Sequence, residues 1–245
     1  MSEEATDPVN ELIKQFETGA ANISEVEIKP LTYDRVMELI RDCCMKISLK
    51  YDTCSDGRIT SAIKETEYLD LLSAGLKAVD SRIEIVRPRD RAWFDIRIQG
   101  IPINLKISSG GTDNAFNKTA VVFTLTGKEL TKKNINFNKW YAEIKKSERK
   151  STRDKNTEYH YLVVDKETHR VLLKSILDIH TYKTNPCNIL QINWDNEFRN
   201  SEYACEDHVK KGTELLKTIQ TSLRQQIDSM KEFCEADLEP RLEEL

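Results

Sequence analysis

The sequence predicts an α/β (α+β) domain, a mixed central sheet flanked by helices and closed by a long C-terminal helix. Three observations predict it. Apolar residues recur at helical spacing in two early segments, an apolar/polar alternation flanks Gln99-Gly100, and further short apolar runs precede an amphipathic stretch near the C-terminus. A chain of 245 residues fits a single domain. We divide it into a helical lead-in (1–50), a core (57–194) and a C-terminal helix (203–235).

The elements follow in order. Residues 1–30 read as a polar lead-in. Val36, Leu39, Ile40, Cys43 and Ile47 give Asp34–Ile47 a helical face. A turn at Ser55-Asp56-Gly57 precedes a helix from about Thr60 to Val79. Arg82–Val86 reads as a strand broken by Arg87-Pro88-Arg89-Asp90. Trp93–Ile98 and Ile101–Ile107 form a β-hairpin about Gln99-Gly100. Gly110-Gly111 leads into a helix from about Asp113 to Thr126, stopped by Gly127. Lys145–Asn156 is charged and reads as a loop. Tyr159–Asp165, Val171–Ile179 and Asn188–Trp194 read as strands, and a helix runs from about Tyr203 to Glu235.

Composition narrows the function classes. No apolar run approaches the roughly 18–20 residues of a membrane helix, so no membrane partner is expected. The N-terminal stretch Met1–Lys14 has neither the apolar core of a secretory signal nor the basic character of a transit peptide. The six cysteines, Cys43, Cys44, Cys54, Cys187, Cys205 and Cys234, show no zinc spacing, and a reduced cytoplasmic compartment is expected. Net charge is −4, yet Lys118–Lys174 holds 14 Lys/Arg against 7 Asp/Glu, while Asp195–Leu245 holds 7 against 13. A basic middle can meet a polyanion although the whole chain is acidic.

The hairpin concentrates the chemistry. If Gln99-Gly100 is a two-residue turn, Ile98 faces Ile101, Arg97 faces Pro102 and Ile96 faces Ile103. Asp95 then lies across from Asn104, with β-carbons about 4.5–5.5 Å apart, and Lys106 projects from the same face. Phe94, Ile96, Ile98, Ile101, Ile103, Leu105 and Ile107 fill the opposite face, which must be core. A slip of one residue would bury the charges, so the register is strongly specified. A carboxylate, an amide and an ammonium on one face suit phosphodiester hydrolysis. The carboxylate holds a hard cation, the cation acidifies a water, and the lysine stabilises developing charge.

Two flanking features add to this. In the helix before the hairpin, Glu65 falls inside the apolar stripe of Ala62, Tyr68, Leu69, Leu72 and Leu76. A buried carboxylate needs a partner, and either a metal or a salt bridge would serve. Arg58 and Ser61 lie near the same azimuth. After Lys106, the run Ser108-Ser109-Gly110-Gly111-Thr112-Asp113-Asn114 offers backbone N–H groups to phosphate, or is an ordinary capped helix start. Asn114, Asn117 and Lys118 would share one helix face. These make Arg58, Ser61, Ser108, Ser109, Asp113, Asn114, Asn117 and Lys118 the candidate DNA contacts.

Asp95-x8-Asn104-x-Lys106 resembles the motif of the PD-(D/E)xK nucleases. Three blocks are similar to a group of type II restriction endonucleases: Gly57–Leu72, Phe94–Lys118 and Tyr161–Trp194. The resemblance implies the restriction-endonuclease-like core and Mg²⁺ as cofactor, with Mn²⁺ as a substitute. It implies Asp95 as principal metal ligand, the Leu105 carbonyl as a further ligand, Glu65 as an accessory acid and Lys106 as the catalytic lysine. It also implies a homodimer cutting double-stranded DNA in a bacterial cytoplasm, alongside a cognate DNA methyltransferase. Asn104 departs from the motif, which has Asp or Glu there. Either Glu65 supplies the missing carboxylate, or the protein is a weakened or inactive DNA-binding form. A repair or junction-resolving nuclease of the same superfamily, and an interaction protein using the C-terminal helix, are the other readings.

Overall fold

The computed structural model describes residues 30–47, 57–88, 92–108, 110–130, 136–146 and 158–243. The lead-in before residue 30, the turn residues Ser55 and Asp56, the candidate contact Ser109 and most of the Lys145–Asn156 segment lie outside them. The chain divides into two compact units, one of Met1–Ser109 with Asp154–Ser175, the other of Gly110–Arg153 with Ile176–Leu245. No described helix is long and apolar enough to cross a membrane.

The first unit is a sheet packed on two helices. Helix α1 (Tyr33–Lys46) begins where Thr32 accepts a hydrogen bond from the Arg35 amide, and it buries Val36, Leu39, Ile40 and Cys43 as its spacing predicts. Helix α2 spans Gly57–Val79 and buries Tyr68, Leu69, Leu72 and Leu76. The sheet comprises β1 (Ile85–Val86), β2 (Ile96–Ile98), β3 (Ile101–Ser108), β5 (His160–Asp165) and β6 (Val171–Ser175), in the order β1-β2-β3-β5-β6. Only β3 and β5 run parallel, so the sheet is mixed. Three strands are clearly shorter than the sequence suggests, since β1 keeps only the end of Arg82–Val86, β2 keeps only Ile96–Ile98 of Trp93–Ile98, and β6 stops at Ser175.

The hairpin register is the one the alternation requires: Ile96↔Ile103, Arg97↔Pro102, Ile98↔Ile101. Gln99 and Gly100 both take positive φ, 48° and 79°. These are the left-handed values of a type I′ turn, which glycine adopts without a Cβ penalty. Ile96, Ile98, Ile101, Ile103 and Leu105 are essentially inaccessible and cluster with Leu162, Val164 and Leu173 against α1 and α2. Each such side chain contributes about 1.5–3 kcal/mol of burial.

The second unit holds a three-stranded antiparallel sheet, β4 (Thr112–Asn114), β8 (Ile189–Asn193) and β7 (Tyr182–Asn185) in that order. Its helices are α3 (Lys118–Thr126), α4 (Phe137–Lys146), α5 (Trp194–Arg199) and α6 (His208–Phe233), followed by a π-turn (Cys234–Leu238) and α7 (Glu239–Glu243). The expected helix from Asp113 is corrected here. Residues 112–114 pair with β8, and the helix starts only after Asn117, whose Oδ1 accepts from the Thr119 and Ala120 amides. Asn117 is the stronger stop because its side chain satisfies two otherwise unpaired helix N–H groups. Gly127 ends the helix in the left-handed conformation as expected. Glu197 is fully buried, its Oε1 accepting from the His180 amide and from the Thr181 amide and hydroxyl.

Candidate active site

Strand alternation builds the site on the sheet face opposite α1 and α2. Asp95, just before β2, lies across from Asn104 and Lys106 of β3, and all three are half-buried. The Asp95 amide donates to the Ile103 carbonyl at 3.0 Å and so extends the hairpin past β2. Asp95 Oδ2 then accepts two hydrogen bonds, from Asn104 Nδ2 at 2.5 Å and from the Leu105 amide at 2.8 Å. Neither bond uses Asp95 Oδ1 or Asn104 Oδ1. Two oxygens therefore remain to receive a ligand on this face.

The electrostatics of Asp95 are a contest. Burial raises its pKa above the usual carboxylate value. The Leu105 amide, the charges of Lys106 and Arg87, and the Asn104 side chain each pull it back down. Lys106 thus acts on Asp95 as the sequence placed it. Arg87, which sequence reasoning passed over as a strand breaker, does so too, while it pairs with Asp70 of α2 at 3.0 Å.

The parallel pairing extends the face in a way the sequence alone did not reveal. Asn104 pairs with Tyr161, and Tyr161 with Lys174, so Asp95, Asn104, Tyr161 and Lys174 form one row across four strands. Tyr161 and Lys174 are 2% and 4% exposed, so only the β2–β3 end of this row is accessible. A signal was present in the polar lysine within Val171–Ser175. Its register could not be read because β3 and β5 are joined through a long connection.

The other candidate residues are distributed as follows. Glu65 is half-buried on α2, and the hydrogen bonds of Asp95 go to Asn104 and Leu105, not to Glu65. Arg58 and Ser61 lie at the start of α2, and Ser108 ends β3. Asp113, Asn114, Asn117 and Lys118 belong to the second unit. Asn114 is in a strand, so it does not share a helix face with Asn117 and Lys118, and the Asn117 side chain is committed to its cap.

The diglycine is also put to structural use. The Gly111 amide donates to Asp195 Oδ2 at 2.8 Å, so it is not open to phosphate. Gly110 has φ 88°, and a Cβ there would run into Asp195 Oδ1. The close approach of Asp195 explains this glycine.

As for a metal, no group of three or more His, Cys, Asp or Glu gathers among the described residues. The hairpin offers a different donor set, one carboxylate with neutral amide and carbonyl oxygens. This all-oxygen set fits a hard divalent cation, with a single negative charge to hold it. Comparison with family models, curated proteins and solved structures gives no match. The functional reading therefore rests on the residues.

Proposed function

We propose that this chain is a Mg²⁺-dependent, sequence-specific endonuclease that hydrolyses phosphodiester bonds of double-stranded DNA, a type II restriction enzyme on a PD-(D/E)xK core. The observation that carries the reading is the accessible trio of Asp95, Asn104 and Lys106 on one sheet face, with Asp95 Oδ1 and Asn104 Oδ1 outside its internal hydrogen bonds. Those two oxygens, with the Leu105 carbonyl, would hold the cation; Glu65, the expected accessory acid, stands on α2, which packs on the other face of the sheet. When bound, Mg²⁺ or Mn²⁺ supplies an acidified water and a polarised phosphoryl group.

The chain's own residues do the rest. The Leu105 amide and Asn104 Nδ2 fix the Asp95 carboxylate, so its geometry is set before any ligand arrives. Lys106 lowers the cost of ionising Asp95 and offsets charge that builds on the phosphate oxygens. The protein partner of such an activity is a cognate methyltransferase protecting the same DNA site.

Asn104 favours a second reading, a DNA-binding protein with weakened or absent catalysis. Incubation with unmethylated phage DNA, in Mg²⁺ and in EDTA, separates the two. Discrete fragments that need Mg²⁺ establish the endonuclease. Sequence-selective gel shifts without cleavage move the reading to a binding protein, and the absence of both cleavage and binding sinks the nuclease reading.

A further inference from the structure

Arg87, at the end of β1, stands beside the hairpin site without being bonded to it. In the β1–β2 ladder Ile85 pairs with Ile98 and Val86 with Arg97. Pro88 has no N–H to carry the ladder on, and β1, an edge strand of its sheet, ends at Val86. One more residue in the same register sets Arg87 level with Ile96, the chain neighbour of Asp95. Its guanidinium lies close enough for its charge to lower the Asp95 pKa. Among the described residues it makes no ion pair with Asp95.

What holds Arg87 is slight. Its Nη1 is 3.0 Å from Asp70 Oδ1 of α2, in a pair whose side chains are 31% and 65% exposed. Ion pairs this wet contribute little and are screened by salt. Among the described residues Nε and Nη2 have no hydrogen-bond partner. A guanidinium fork with those donors uncommitted suits an anion that offers two oxygens at once. A phosphate does so and binds it more strongly than one wet carboxylate oxygen. On a flexible stem at a sheet edge, the head can leave Asp70 for the side of Asp95 and Lys106.

We infer that Arg87 is a phosphate ligand of the hairpin site, kept by Asp70 until DNA arrives and then exchanging that carboxylate for a backbone phosphate. The identity of the anion rests on the nuclease reading; the exchangeable pair rests on the geometry of Arg87 and Asp70.

Binding of a fluorescein-labelled DNA duplex to the full chain, followed by anisotropy in EDTA at stepped salt, tests it without cleavage. Arg87→Ala weakens binding by about tenfold. It also flattens the slope of log K against log salt by about one, the mark of one lost phosphate contact. Arg87→Lys keeps the slope, because the charge stays, but only part of the affinity. Asp70→Asn acts in the opposite sense and tightens binding by up to about fivefold, since the competing carboxylate is gone. In the Arg87→Ala background the same change has little effect. A pair that serves only the fold would weaken binding whichever partner is removed. A wild type that binds the duplex, with Arg87→Ala equal to it in affinity and slope, overturns the inference and leaves the nuclease reading standing. So does an Asp70→Asn variant that binds more weakly. A wild type that neither binds the duplex nor cuts phage DNA in Mg²⁺ overturns the nuclease reading and this inference with it.

Discussion

The two faces of the five-stranded sheet carry polar groups of opposite kinds. On the face packed against α1 and α2, the Tyr33 hydroxyl and His160 Nε2 are 2.7 Å apart, and His160 Nδ1 lies 3.0 Å from the Glu158 carbonyl. The Ser175 hydroxyl donates to the Glu158 carboxylate, and His160 and Ser175 face each other across β5 and β6. His160, Ser175 and Glu158 are all 2% exposed or less. On the other face, Asp95 and Asn104 meet by a single side-chain hydrogen bond and each keeps an oxygen beyond it. The sealed group resembles a catalytic set in residue type, but substrate cannot reach it. Reach and spare valence distinguish the site here, not residue chemistry.

Variants on the two faces should therefore separate activity from stability. The largest effect belongs to Lys106→Ala, which lowers the cleavage rate by about 100- to 1,000-fold, as for loss of one charge-stabilising donor. Its urea midpoint stays near that of the wild type because the side chain is only half-buried. Glu158→Ala does the reverse. It removes the carboxylate that accepts from the buried Ser175 hydroxyl and costs about 1–3 kcal/mol, read as a lower urea midpoint, while any cleavage by the folded fraction should match that of the wild type.

Asn104→Asp adds a second carboxylate beside Asp95. Cation affinity, measured by calorimetry, rises by about tenfold from the extra charge and the harder ligand.

The pH dependence is smaller and has a definite sign. Burial holds the Asp95 pKa above its unfolded value, so the native state keeps this proton more tightly than the unfolded chain does. Stability from this group therefore falls as pH rises from the unfolded value through the folded one. Asp95→Asn should match the wild type in acid and gain on it across that window, as thermal melts at stepped pH would show.

How much of this was legible follows from where information sits in a chain. The hairpin was readable to the residue because strict alternation and a Gln-Gly turn fix the register locally. Helices α1 and α2 were readable from spacing. The short polar strands Thr112–Asn114 and Tyr182–Asn185 were not, since neither has an apolar face, and each exists through pairing with β8. Helix α4, Phe137–Lys146, was missed among charged residues. The diglycine misled because its partner, Asp195, lies far along the chain. Lys174 entered the row of Asp95 through a parallel pairing that no local pattern announces. The C-terminal helix starts at His208 and not near Tyr203, since Asp207 caps it by accepting from the Lys210 amide.

The most direct test takes one preparation of Asp95→Asn and measures two things, Mg²⁺-dependent cleavage of phage DNA and the urea midpoint at about pH 8, well above the usual carboxylate range. The account predicts that cleavage disappears while the midpoint stays at or above the wild-type value. Cleavage at the wild-type rate would contradict it.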